Sequence, residues 1–307
     1  MKAVVVGAVE STRMALRRIA AASAWRVAAV ITLPRTLAGR HSDYADLGEE
    51  AASAKAELIE AANANAPEIV SRLAAIAPDV VFIIGWSQIC GPEFREAAKG
   101  RVLGFHPAPL PRLRGRAAIP WTILLDEKIS GSTLFWIDEG VDSGPILAQE
   151  FFHVAPDETA TTLYARHMTA LERILDSALK SIASGDDAGR KQDERYATYA
   201  SRRTQRDGLI DWSQPQEEVL RLVRAATRPY PGAWSTWKGR KFVVWGATPW
   251  APGERHVATP GRVLAVENSA IAIACAGGAI MATEWTLDGE QDIRTHGALG
   301  GAERMEK

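Results

Sequence analysis

The chain opens with a short, uninterrupted apolar run, Val4 to Val6, which stops at Gly7. From Ser11 to Ala22 the apolar positions change to helical spacing, with Met14, Ala15, Leu16 and Ile19 on one side. A second continuous run, Val27 to Leu33, follows at once. After it come a polar loop from Pro34 to Asp46, an alanine-rich helical stretch and a further helix from Pro67 to Ile76. A third buried run spans Val80 to Ile84. Short apolar runs without polar alternation, separated by helices, predict parallel strands covered on both faces. The first 185 residues are therefore expected to form a doubly wound α/β domain, with ligands beyond the carboxyl ends of its strands.

The pattern then changes twice. Residues 186–207 are dominated by charged and small polar residues and read as a linker. A helix from Pro215 to Ala226 opens a second domain, 208–307. In it, Phe242 to Trp245, Gly261 to Glu267, Ala270 to Ala274 and Ala279 to Trp285 are strand-length runs punctuated by Gly and Pro. That spacing predicts a small antiparallel barrel.

Composition adds limits. Hydrophobic residues make up 47% and charged residues 24% of 307, enough to bury a sizeable core. The formal charge of -1 supplies no global attraction to nucleic acid or membrane. Cys90 and Cys275 stand far apart without metal-ligand spacing, so neither a disulfide framework nor a zinc site is expected, and a reducing, cytoplasmic setting fits. No apolar stretch reaches the roughly 20 residues that a membrane span requires. Residues 190–241 hold 12 Lys or Arg against 6 Asp or Glu, which reads as a solvated face rather than a nucleic-acid platform. Trp234, Trp237, Trp245 and Trp250 read as packing in the second domain, and the turn from Gly7 into Ser11-Thr12-Arg13 as structural.

The densest chemistry lies in residues 102–150. Val102 to Phe105 is a short strand ending in His106, and prolines 107, 109 and 111 hold the following backbone extended. Ser132 to Ile137 is another strand, trailed by Asp138-Glu139-Gly140-Val141-Asp142-Ser143-Gly144. Where two such strands are neighbours, the loop brings a carboxylate against the imidazole, an arrangement suited to proton transfer. On residues alone a structural histidine and a solvated turn remain open readings.

HPAPLPRLRGRA followed by LFWIDEGVDSGPIL resembles the signature of the formyltransferases that use 10-formyltetrahydrofolate. DGLIDWSQPQEEVLRLVRAATRPYPGAW is similar to the opening of that family's carboxyl-terminal domain. The resemblance implies a Rossmann-like core followed by an OB-like barrel. It implies His106 as the catalytic histidine and Asp142 as the residue that tunes it. Gly104 stands where the family has an oxyanion-stabilising Asn, and losing one such donor costs about 3 kcal/mol of transition-state stabilisation. Ser87, Gln88, a backbone N–H or a water are the candidate replacements. The resemblance further implies a folate pocket formed by Gln88, Ile89 and Cys90, by Arg116, and by Asp138, Glu139, Gly140 and Val141. No metal is implied.

Four activities compete. YATYASRRTQRDGLIDW is similar to an amino-sugar nucleotide formyltransferase, which implies a small-molecule amine as acceptor. Gly104, WSQ at 86–88 and DETATTLY at 157–164 resemble a formyltetrahydrofolate hydrolase domain. Methionyl-tRNA formylation and non-catalytic folate binding complete the set.

Overall fold

The structure, a computed structural model, describes residues 1–300. In chain order its elements begin with β1 (Lys2–Val6), α1 (Glu10–Ala21), β2 (Arg26–Thr32), α2 (Gly48–Ser53), β3 (Glu57–Glu60), α3 (Pro67–Ile76), β4 (Val80–Ile83), α4 (Pro92–Ala97) and β5 (Val102–His106). They continue with β6 (Arg114–Gly115), α5 (Ala118–Leu124), β7 (Ile129–Trp136), β8 (Ile146–His153), α6 (Ala160–Ser184) and β9 (Tyr199–Ala200). The remainder is α7 (Gln216–Ala226), β10 (Ala233–Trp237), β11 (Arg240–Pro249), β12 (Val263–Glu267), β13 (Ala270–Cys275) and β14 (Gly278–Leu287). The chain divides into two compact units. The first comprises Met1–Ala118, Lys128–Val154 and Tyr164–Arg202; the second holds Ile119–Glu127, Ala155–Leu163 and the chain from Arg203 onward.

The first unit is built on a seven-stranded sheet of order β3-β2-β1-β4-β5-β7-β8. The first five strands are parallel, while β7 and β8 run antiparallel. Strand β1 shows why such a sheet must be covered twice. Ala3 and Val5 pack with Leu16 and Ile19 of α1 and Leu171 and Leu175 of α6. Val4 and Val6 face the other way, among Ile69 and Leu73 of α3 and Phe94 of α4. Alternating side chains of one strand thus enter two separate cores.

Helix α3 occupies the residues its pattern predicted, with Pro67 in its first turn and Ala77 closing it in the left-handed region at φ 48. The alanine-rich stretch departs from expectation. Only Gly48–Ser53 is helical, and Glu57–Glu60 pairs with the open edge of β2 instead. Helix propensity there yields to a vacant row of backbone partners. Glu57 on this edge strand is held by Arg72 through two contacts, at 3.0 and 2.5 Å.

The second unit contains a five-stranded antiparallel sheet of order β10-β11-β14-β13-β12. Val219, Leu220 and Val223 of α7 share its core with Trp237, Phe242, Ile271, Ile273 and Ile280. Trp237 is 1% exposed and donates through Nε1 to Asp292, so it is a packing residue. Bridges from Leu209 to Trp234 and from Ala298 to Arg262 lie beside the two outer strands.

Candidate active site

The strand order reverses beside β1, where β2 and β3 lie to one side and β4 and β5 to the other. Ligands of such sheets sit at that reversal, beyond the carboxyl ends of the strands. His106 closes β5, one strand from the reversal, and is 7% exposed. Its Nε2 lies 2.7 Å from the Leu113 carbonyl. A carbonyl only accepts, so Nε2 carries the hydrogen, and Nδ1 is the ring atom left to gain or lose a proton. Nδ1 stands 3.7 Å from Asp142 Oδ2.

Asp142 reaches that position by an unexpected route. Because β7 runs antiparallel to β5, its trailing loop leaves beside Val102, with Ile137 N–H donating to the Val102 carbonyl at 2.8 Å. That is the far end of β5 from His106, about 13 Å away at the usual strand rise. The loop must therefore double back along the sheet. Asp142 itself adopts φ 49, a left-handed conformation that costs a non-glycine residue free energy.

Three contacts hold it there. Gly115 N–H donates to Asp142 Oδ2 at 2.8 Å. Gly115 has φ 103, and a Cβ on it would stand 2.5 Å from the Ala200 carbonyl oxygen, so this approach requires glycine. The side-chain amide of Gln192 supplies the other two, donating to the carbonyls of Asp142 and Gly144, each at 2.8 Å. Gln192 lies in the stretch expected to be a linker, yet is 4% exposed. That stretch also contributes β9, which pairs with β6 through Arg114–Tyr199 and Gly115–Ala200.

The other residues singled out from the sequence fall on two loops and one motif. Gln88 spends its side chain on the carbonyl of Ala62 and the N–H of Ala64. Ile89 is 73% exposed, and its carbonyl accepts from Asn65 Nδ2 at 2.8 Å. Cys90 is buried, which pushes its thiol up to about 12 and leaves it a poor nucleophile. Asp138 accepts from Gly140 N–H and Ser143 Oγ, so it braces its own loop. Glu139, Gly140 and Val141 are exposed along that loop. Arg116 extends to solvent; burial of part of its guanidinium, and then the charge of Arg202, lower its affinity for the proton. His41 is lowered by burial against the pull of Asp43, and Arg116 and Arg40 lower it further.

Gly104 is the departure that matters most. It pairs with Phe135 across the ladder, and a Cβ there would lie 3.0 Å from the Phe135 ring and 3.0 Å from Ile137 Cγ1. The space a side chain would occupy is apolar and filled. In the loop after β4, Trp86 Nε1 is buried without a hydrogen-bond partner. Among the described residues no group of three or more His, Cys, Asp or Glu could hold a metal ion, and no helix is long and apolar enough to cross a membrane.

A doubly wound sheet carrying a buried histidine beside a carboxylate is an arrangement for acid–base group transfer. Residues 1–179 match the family described as Formyl transferase, and residues 202–302 match Formyl transferase, C-terminal domain. The chain belongs to the formyl transferase family. Its fold is similar to WlaRD, a sugar 3N-formyl transferase crystallised with dTDP and 5-N-formyl-THF, at TM-score 0.68 and 19% identity, covering 95% of this chain and 99% of that one. It is similar also to an N-formyltransferase from Helicobacter canadensis in complex with folinic acid and dTDP-3-aminofucose, at TM-score 0.67 and 19% identity, covering 92% and 98%. HypX from Aquifex aeolicus in complex with tetrahydrofolic acid matches at TM-score 0.67 and 21% identity over 93% of this chain, which spans only 44% of HypX.

Proposed function

We propose that the chain transfers a formyl group from 10-formyltetrahydrofolate to a primary amine on a small molecule, of the amino-sugar nucleotide class. The observation that carries this reading is the His106–Asp142 pair, whose loop is folded back over the sheet within a formyl transferase fold. His106 Nδ1 accepts the proton that the attacking amine loses, Asp142 steadies the resulting imidazolium, and the same proton is returned to N10 as its bond to the formyl carbon breaks. Formamide and tetrahydrofolate are the products, so the atoms balance without a metal.

The donor site is assigned to the loops around His106. Ile89 and Val141 offer exposed apolar side chains, 73% and 47% exposed, suited to an aromatic ring system. The main chain at Gln88–Cys90 and Asp138–Val141 supplies polar edges, and Arg116 an anion partner. The small-molecule acceptor is supported by the two fold relatives crystallised with thymidine-nucleotide ligands.

Hydrolysis of the same donor is the second reading. It is supported by Gly104, which transfer and hydrolysis both tolerate and around which an added Cβ would first meet the apolar Phe135 and Ile137. Incubation with 10-formyltetrahydrofolate and a panel of amines, following tetrahydrofolate release and product mass, separates the two. Release that is slow alone and rises steeply with one amine supports transfer. Fast formate release with no formylated amine supports hydrolysis.

A further inference from the structure

We propose that Gln192 is a positioning residue for the reaction, and that Arg114 sets its orientation; the proposal rests on the His106–Asp142 reading above. Three observations carry it. First, the Asp142 loop has to fold back about a strand's length and hold Asp142 at φ 49, so an external restraint is needed. Second, Gln192 Nε2 donates to the carbonyls on both sides of Ser143, those of Asp142 and Gly144. A single amide thus staples the tip of the loop through its main chain, while the Asp142 carboxylate accepts from Gly115 N–H and faces His106.

Third, the amide can bind only one way round. Arg114, 1% exposed, donates from Nε at 3.1 Å and Nη2 at 2.8 Å to Gln192 Oε1. Those two donors oblige the oxygen to face Arg114 and the NH2 to face the loop. Arg114 is itself fixed by Glu194 through a bidentate pair at 2.9 and 2.7 Å and by the Tyr199 hydroxyl at 3.1 Å. The Glu194 carboxylate raises the Arg114 guanidinium above its ordinary value, so the fork stays charged. The relay runs Glu194, Arg114, Gln192, Asp142 main chain, with Asp142 against His106. Its members come from the proline-rich motif and from the polar stretch after α6.

The discriminating substitution is Gln192→Glu. It keeps an oxygen for Arg114, strengthening that contact, but presents a second oxygen to two carbonyls in place of the NH2. Staple and packing are thereby separated. We expect Gln192→Glu and Gln192→Ala each to lower kcat ten- to a hundredfold, with KM for the formyl donor and the Kd for 5-formyltetrahydrofolate changed less than threefold. In an Asp142→Asn background, where the carboxylate is already gone, Gln192→Glu should cost less than twofold more. Equal losses in both backgrounds would show a merely structural role and overturn the proposal, as would wild-type kcat in Gln192→Glu. Should His106→Ala retain full turnover while Gln192→Glu loses it, the underlying reading fails instead. Circular dichroism of each variant confirms that the folded fraction is being compared.

Discussion

Gly104 lies opposite Phe135 in the β5–β7 ladder, and the Phe135 ring fills the space into which a Gly104 side chain would project. The pair acts as one unit: the absence of a side chain on one strand admits an aromatic ring from the next, two residues from His106. Gly104→Ala should therefore destabilise the protein by about 1–3 kcal/mol, the usual cost of overpacking a filled core. Gly104→Asn should cost at least as much, and the double variant with Phe135→Ala should lose less than the sum of the two single losses. Urea unfolding of the single and double variants measures this. Additive losses would mean that Phe135 does not occupy that space.

The same pair bears on chemistry. An Asn introduced at 104 together with Phe135→Ala gives β5 an amide side chain two residues from His106. The double variant should keep the acceptor requirement of the parent. A gain in amine-independent formate release would instead mark the site as hydrolytic.

The proposed mechanism gives proton handling to His106 and Asp142. His106→Ala and Asp142→Ala should each lower turnover at least about a hundredfold. Calorimetry with 5-formyltetrahydrofolate should show His106→Ala binding nearly as well as the parent. Near-normal turnover in either variant would remove the acid–base assignment.

Much of this was legible in the chain. Val4 to Val6 and Val80 to Ile84 announce central parallel strands because both faces of each are apolar, and the structure buries Val4, Val5, Val81 and Phe82 completely. His106 stands out because it closes a strand-length run, whereas only the family resemblance singles out Asp142 from the three carboxylates of its loop; the structure brings the two to 3.7 Å. What escaped was whatever depends on pairing direction. Nothing in Ser132 to Ile137 says that β7 is antiparallel, so the doubling back of the Asp142 loop had no local signal. Strand β3 was hidden for a related reason: ELIE has helix-forming neighbours, and only the open edge of β2 makes it a strand. Gln192 and Arg114 were missed because a polar residue among charged ones carries no periodic signal, and burial alone distinguishes them.

Neither cysteine should react. Burial raises the Cys90 thiol to about 12 and the Cys275 thiol to about 11, leaving almost no thiolate near neutrality. Iodoacetamide at pH 8 should leave both unmodified by mass spectrometry until denaturant is added, with turnover unchanged. Rapid labelling of Cys90 in the native protein would show that the loop after β4 opens.

His167 gives the clearest pH dependence. It is 2% exposed, with Ser132 Oγ 2.9 Å from Nδ1, Phe152 edge-on at 5.0 Å, and Nε2 without a partner. Burial, followed by the nearby charges of His106 and Arg166, lowers it from 6.5 to about 3. Between those two values the unfolded chain binds a proton that the folded chain refuses. The stability this neutral imidazole contributes is therefore complete above pH 6.5 and declines as the pH falls toward 3. At pH 5 the loss should be about 2 kcal/mol, since each unit is worth roughly 1.4 kcal/mol. His167→Gln removes the titrating group, so its overall stability falls but this part of the acid sensitivity disappears. Urea unfolding at pH 7 and pH 5 for both proteins isolates the difference. Identical pH dependence in the two would mean that His167 titrates normally and that the space between β7 and α6 admits charge.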